Sequence, residues 1–157
     1  MAGEIRQVKD EVNIIFEKVL SSNVSQIENF VLVTFNDPTA EVRTKTKNRD
    51  EFKRNLASIN VHGGDDCPEY ALTGIELALK KSLPLSYLYV FTDASAKDYY
   101  RFDQIKSISQ KKQSQVVFVL TGQCDGRSGA DYQVYHKVAK ATNGQVFHMM
   151  KDDVKDV

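Results

Sequence analysis

Tryptophan is absent from the 157 residues, there are only three prolines and two cysteines, and neither sign of charge is in excess, with 21 lysines and arginines against 21 aspartates and glutamates. Each scarcity excludes something. Without a basic surplus or stripe the chain is a poor phosphate-backbone binder, so nucleic acid is not the expected partner; the pairs Lys80-Lys81 and Lys111-Lys112 read as solvated helix faces. No apolar run approaches the roughly 20 residues that span a bilayer. The opening residues are polar and already helical in pattern, unlike a signal peptide. Cys67 and Cys124 settle nothing by count, and with no Cys-x-x-Cys and no paired histidines, His62 near Cys67 does not make a zinc site. His136 and His148 are scattered and read as structural or solvated. No glycine-rich loop follows the first strand and no Ser/His/Asp set stands out, so catalysis is not expected. The length suits one domain with a real core.

What is present is alternation. Ile5, Val8, Val12, Ile15, Phe16 and Val19 recur at helical spacing, which predicts an amphipathic helix from the start to about Leu20. Phe30 to Phe35 is a continuous apolar run of strand length, expected to be buried on both faces. After the turn Asn36-Asp37-Pro38-Thr39, Glu41 to Thr46 alternates and suits an antiparallel edge strand in a hairpin. Asn48 with Glu51 reads as a capping box before a short helix carrying Phe52, Leu56 and Ile59. A helix from about Pro68 to Ser82 follows, with small residues such as Gly74 and Ala78 facing inward. Tyr87–Thr92 is a strand, and Phe102 to about Gln113 is a helix. Gln115–Thr121 is the strongest buried strand. The pattern closes with a helix through Tyr132, Tyr135 and Val138, a strand over Gln145–Met149, and the beginning of a helix after Lys151.

Such alternation with short connections predicts an α/β, Rossmann-like three-layer body. Its central sheet is mostly parallel, with one antiparallel edge strand and helices on both faces. Ligands of such sheets bind beyond the carboxyl ends of the strands. Asp93 ends one strand there, and Cys124 and Asp125 follow another. Asp66 and Glu69 stand three apart after Gly63-Gly64. If these loops share one edge, Asp66, Glu69 and Asp93 converge on one hard cation, Mg2+ or Ca2+, because every donor is oxygen. The plainer alternatives are a capping box for Asp66 and Glu69 and a loop cap for Asp93. Ser95, Lys97 and Asp98 are expected at the rim.

Gly63-Gly64-Asp65-Asp66-Cys67-Pro68-Glu69, Val90-Phe91-Thr92-Asp93-Ala94 and Ser114 to Gly122, in this order, resemble a von Willebrand factor type A domain, most of all that of hemicentins, large extracellular matrix proteins. The likeness runs from about Glu4 to Val157. The resemblance implies a metal-ion-dependent adhesion site, with Asp66-Cys67-Pro68-Glu69 as its second loop and Asp93 as its third. It also implies that residues 1–157 form a single domain lacking the family's first strand, its Asp-x-Ser/Thr-x-Ser loop and the end of its last helix. The sheet then has a gap or a rearranged order, and metal affinity is weak or absent.

The implied function is a non-enzymatic adhesion or protein-binding module, secreted as part of a longer protein, that meets its protein partner through an acidic side chain. In that setting Cys67 and Cys124 form a disulfide or remain two free thiols, and Asn23-Val24-Ser25 fits a glycosylation acceptor triplet. The alternatives are an enzyme on a Rossmann-like fold and an intracellular, metal-independent scaffold domain.

Overall fold

The computed structural model describes residues 2–21, 27–60, 67–122, 124 and 126–149. In chain order the elements are α1 (Ala2–Ser21), β1 (Phe30–Phe35), β2 (Ala40–Thr46), α2 (Arg49–Ala57), α3 (Ala71–Lys81), β3 (Tyr87–Thr92), a 3-10 turn (Tyr99–Arg101), α4 (Phe102–Lys112), β4 (Gln115–Leu120), α5 (Ala130–Ala141) and β5 (Val146–His148). The α/β class expected from the alternation is the observed one. The start of a helix expected after Lys151 lies outside the described residues.

β3, β4 and β5 form a parallel sheet in that order, with Tyr87 opposite Gln115 and Phe118 opposite Val146. β1 and β2 form an antiparallel hairpin, with a register shift between Leu32 and Val33. Among the described residues no ladder joins the two sheets. Asp37, just past β1, forms an ion pair with Lys97, a few residues past β3, so both strands end at one rim.

Strand periodicity decides which side chains enter the core. Val90, Val116, Phe118 and Leu120 point to the face covered by α3, α4 and α5. They pack there with Leu72, Ile75, Leu79, Ile105, Tyr132 and Tyr135. The alternate residues Tyr87, Tyr89 and Val117 line a cavity of about 390 Å3 shared with Ile15 and Val19 of α1. A second cluster fixes α1 and α2 to the hairpin: the rings of Phe16, Phe30 and Phe52 lie with centroids 5.1–5.3 Å apart. Burying the Phe16 and Phe52 rings contributes about 1.5–3 kcal/mol each, and the half-buried Phe30 adds less.

Small residues set the close contacts. A Cβ at Gly74 would stand 2.8 Å from Phe35 Cβ, so α3 lies directly on β1. A Cβ at Gly144 would stand 1.8 Å from the carbonyl oxygen of Val116, so the turn after α5 rests on the β4 backbone.

Three expectations are corrected. β1 is not buried on both faces; all six residues are half-buried, because one edge borders an open cleft. The Asn48 box is half made. Asn48 Oδ1 accepts from the amides of Asp50 and Glu51, but the Glu51 carboxylate accepts from the Thr46 hydroxyl instead, and the Asn48 amide donates to that same hydroxyl oxygen. Finally, α3 starts at Ala71, not Pro68, because Glu69 is held in an extended bridge to Ala96.

Candidate functional site

Three chain segments meet beyond the carboxyl ends of the strands. The lead into α3 runs beside the loop after β3. The Glu69 amide donates to Ser95 O at 3.0 Å, and the Lys97 amide donates to Glu69 O at 2.8 Å, forming a parallel bridge between Glu69 and Ala96. The residue after β4 joins them, with the Thr121 amide donating to Thr92 O at 3.1 Å. Cys67 and Cys124 are linked as a disulfide, their Cα atoms 5.5 Å apart, and the Ser95 amide donates to Cys124 Sγ at 3.3 Å. Backbone and covalent ties therefore fix all three segments.

Glu69 and Asp93 line the same cleft, together with Thr92 and Thr121. Asp93 is exposed; Glu69 is partly buried and its Oε2 is buried outright. Gly122 packs so closely on Asp93 that a Cβ there would stand 2.7 Å from its carbonyl oxygen. Asp66, the third carboxylate expected, lies outside the described residues, as do Asn23, His62 and Asp125. Among the described residues no group of three acidic, histidine or cysteine side chains gathers as a metal cluster.

The expected rim residues divide. Lys97 is exposed, but Ser95 and Asp98 are fully buried. Asp98 turns inward because the first amides of α3 need acceptors. Tyr70, at the position before the helix, makes no side-chain cap, and the Asp98 carboxylate accepts from the amides of Leu72 and Thr73 and from the Thr73 hydroxyl. Ser95 Oγ is buried without a hydrogen-bond partner among the described residues.

The loop after β3 is also held from below. The Tyr135 hydroxyl donates to Ala94 O at 2.9 Å, and the Ala96 amide donates to Asp131 O at 2.8 Å. Burial pushes the Tyr135 phenol far above its ordinary range, with the carboxylates of Asp98 and Asp131 adding to the shift, so it remains a donor. Asp98 reads in the sequence only as a rim residue, and Tyr135 only as part of a helix stripe. Their partners lie 25, 26 and 41 positions away, and no local pattern marks such contacts.

The donor set is oxygen only: the carboxylates of Glu69 and Asp93. That chemistry suits Mg2+ or Ca2+ over a soft metal. Two described carboxylates supply only part of the six or more oxygens, roughly, that these ions take.

The family model described as von Willebrand factor A domain matches residues 1–151. Hemicentin-1 of Mus musculus is 43% identical over 157 residues, covering 100% of this chain and 3% of its own length. The von Willebrand factor A domain-containing protein 7 of Rattus norvegicus is 31% identical over 166 residues, with 100% and 18% covered. The chain thus spans a small part of the relatives it matches. Among solved structures, proximal thread matrix protein 1 from the mussel byssus superposes with a TM-score of 0.71 at 14% identity, covering 98% of this chain and 40% of that one. The VWA domain of SpRpn10 gives 0.67 at 16%, covering 96% and 80%. At these identities the structural likenesses bear on the fold alone. Among the described residues no helix is long and apolar enough to cross a membrane.

Proposed function

Because the chain belongs to the von Willebrand factor A domain family, we propose that it is a non-enzymatic protein-binding module of a hemicentin-like extracellular matrix protein. It engages its partner at the rim where β1 and β3 end. The observation that carries this reading is that Glu69 and Asp93 line one cleft on segments clamped to each other by the Glu69–Ala96 bridge. The disulfide between Cys67 and Cys124 supports an oxidising, extracellular setting.

Glu69 and Asp93, with Asp66, are the residues that would hold Mg2+ or Ca2+. When bound, the ion would offer an open coordination position to an acidic side chain of a partner protein. The chain's own groups do the rest. The bridge to Ala96 fixes Glu69, and the contact with Gly122 fixes Asp93.

Calorimetric titration of the chain with Mg2+ and Ca2+ tests the metal. The expected affinity lies near the weak end for extracellular calcium modules, about 10⁻³ M, and is lost in Asp93→Ala and reduced in Glu69→Gln. Absence of binding at tenfold higher concentrations, or binding indifferent to both substitutions, would remove the ion from the reading.

A further inference from the structure

We propose that His136 and His148 form a metal site separate from the Glu69–Asp93 rim, taking a borderline divalent transition ion, Zn2+, with Tyr132 orienting it. The two histidines are scattered in the sequence, and the fold brings them together. His136 stands one turn after Tyr132 on α5, so the two share a helix face. His148 is the last residue of β5 and packs against that face. The ring centroids lie 5.2 Å apart for His136 and His148, 5.9 Å for Tyr132 and His148, and 6.1 Å for Tyr132 and His136.

The spacing suits chelation. With metal–nitrogen bonds of about 2.0–2.1 Å and a tetrahedral angle, the centroids of two imidazoles on one ion lie about 5 Å apart. Ring packing alone favours the same separation, so the free chain holds the pair there without strain. His148 is exposed and His136 half-buried, which gives an ion a way in. Tyr132 supplies the polar support that a ligating histidine needs behind it. Its hydroxyl lies 2.8 Å from His148 Nδ1, and the residue is only 1% exposed. With the proton on Nδ1 the phenol oxygen accepts, the ring is held in one orientation, and Nε2 keeps its lone pair for the ion. Burial raises the phenol's pKa, so Tyr132 stays neutral and acts as a positioning residue rather than a ligand.

Imidazole nitrogen selects Zn2+ over the harder Mg2+ and Ca2+. Cys67 and Cys124 do not compete as zinc ligands, because they are joined to each other. No third acidic, histidine or cysteine side chain joins the pair among the described residues. Two protein nitrogens leave the other tetrahedral positions to water or to a donor of another chain. The positive charge of Arg127 also acts on His148 and opposes a bound cation, so the site is weaker than a four-ligand structural zinc centre. It shares no residue with the oxygen-lined rim, and neither reading depends on the other.

The test is calorimetric titration of the 157-residue chain with Zn2+ in the presence of excess Mg2+, read beside the nitrogen NMR spectrum of the imidazole rings. The expected result is one ion per chain bound at micromolar Zn2+, with the ring nitrogens of His136 and His148 shifted together. Binding should be lost in His136→Gln and in His148→Gln and kept in His62→Gln. Tyr132→Phe should weaken it about 10–100-fold and change the balance of His148 tautomers in the nitrogen spectrum. No binding at millimolar Zn2+, binding that survives both histidine substitutions, loss in His62→Gln, or displacement of Zn2+ by Mg2+ overturns the site. Tyr132→Phe binding as tightly as the parent, with the tautomers unchanged, overturns the orienting role. The ring shifts are read on the unaltered chain, so a variant that unfolds leaves the test intact: unshifted His136 and His148 nitrogens at saturating Zn2+ overturn the site by themselves.

Discussion

Asp98 caps a helix that begins 27 residues before it: its Oδ1 accepts from the Leu72 amide at 3.0 Å, and its Oδ2 accepts from the amide and the hydroxyl of Thr73, each at 2.6 Å. The carboxylate takes up two amides of the first turn of α3 that no intrahelical carbonyl can reach, and its charge lies at the positive end of the helix dipole. It is fully buried. It therefore couples the loop carrying Asp93 to the helix that follows Glu69.

Asp98→Ala should lower stability by roughly 2–3 kcal/mol, the range for hydrogen bonds to a charged group together with the amides left bare. Thr73→Val, which removes only the hydroxyl donor, should cost about 1 kcal/mol. Urea denaturation of both variants measures this. Equal effects would show that the cap is not made through the backbone amides.

The disulfide closes a loop of 57 residues, and chain entropy assigns a bridge of that span about 4 kcal/mol. Cys67→Ser with Cys124→Ser should lower the denaturation midpoint accordingly. The same loss should appear when the unaltered chain is unfolded in reductant. A double variant as stable as the parent would mean that the backbone ties and the Asp98 cap hold the upper loops without the disulfide.

Periodicity and turn chemistry are local, and where the fold is local the sequence showed it. The bounds of β1 and β3, the hairpin, and the stop of α5 before Gly144 follow from runs of a few residues. The start of α3 departs from the local pattern for the same reason. Pro68 and Glu69 look like a helix's first turn, yet Glu69 is drawn into a bridge with Ala96, a partner 27 positions on. Ser95 and Asp98 read as rim residues in the sequence, and the fold buries both fully. Burial beneath α3 and α5 is a property of the packed layers and leaves no mark on neighbouring residues. Strand order points only to Asp93, beyond a carboxyl end; Glu69 joins it in the sequence reading through a supposed shared edge and the family resemblance.

Gly122 offers a way to move Asp93 without altering a carboxylate. An added Cβ would stand 2.7 Å from Asp93 O and 3.1 Å from Asp93 Cβ, contacts with little room to relax because the obstacle is backbone. Gly122→Ala should cost about 1–3 kcal/mol and should shift the Asp93 resonances in an NMR spectrum. Gly144→Ala, which collides with Val116 O at 1.8 Å, should cost at least as much while leaving the Asp93 resonances in place. Similar shifts at Asp93 in both variants would argue against a local link between Gly122 and the rim.

His148, at the end of β5, gives the fold a pH dependence whose sign follows from its surroundings. Its Nδ1 lies 2.8 Å from the Tyr132 hydroxyl, and its ring stacks with that of His136 at 5.2 Å between centroids. Although the residue is exposed overall, partial desolvation of its ring lowers its pKa from the ordinary 6.5, with the positive charge of Arg127 and the neighbouring His136 adding to the effect. The folded chain thus prefers the neutral imidazole, and below about pH 6.5 the unfolded chain binds the proton more readily. Stability from this residue is complete above 6.5 and is lost as pH falls through the lowered folded value. Denaturation midpoints should drop between neutral pH and about pH 5, and His148→Gln should flatten that drop, since glutamine keeps a polar contact for Tyr132 and does not titrate. An unchanged slope in His148→Gln would move the pH dependence to another group, and a slope of opposite sign in the parent would contradict the burial argument itself.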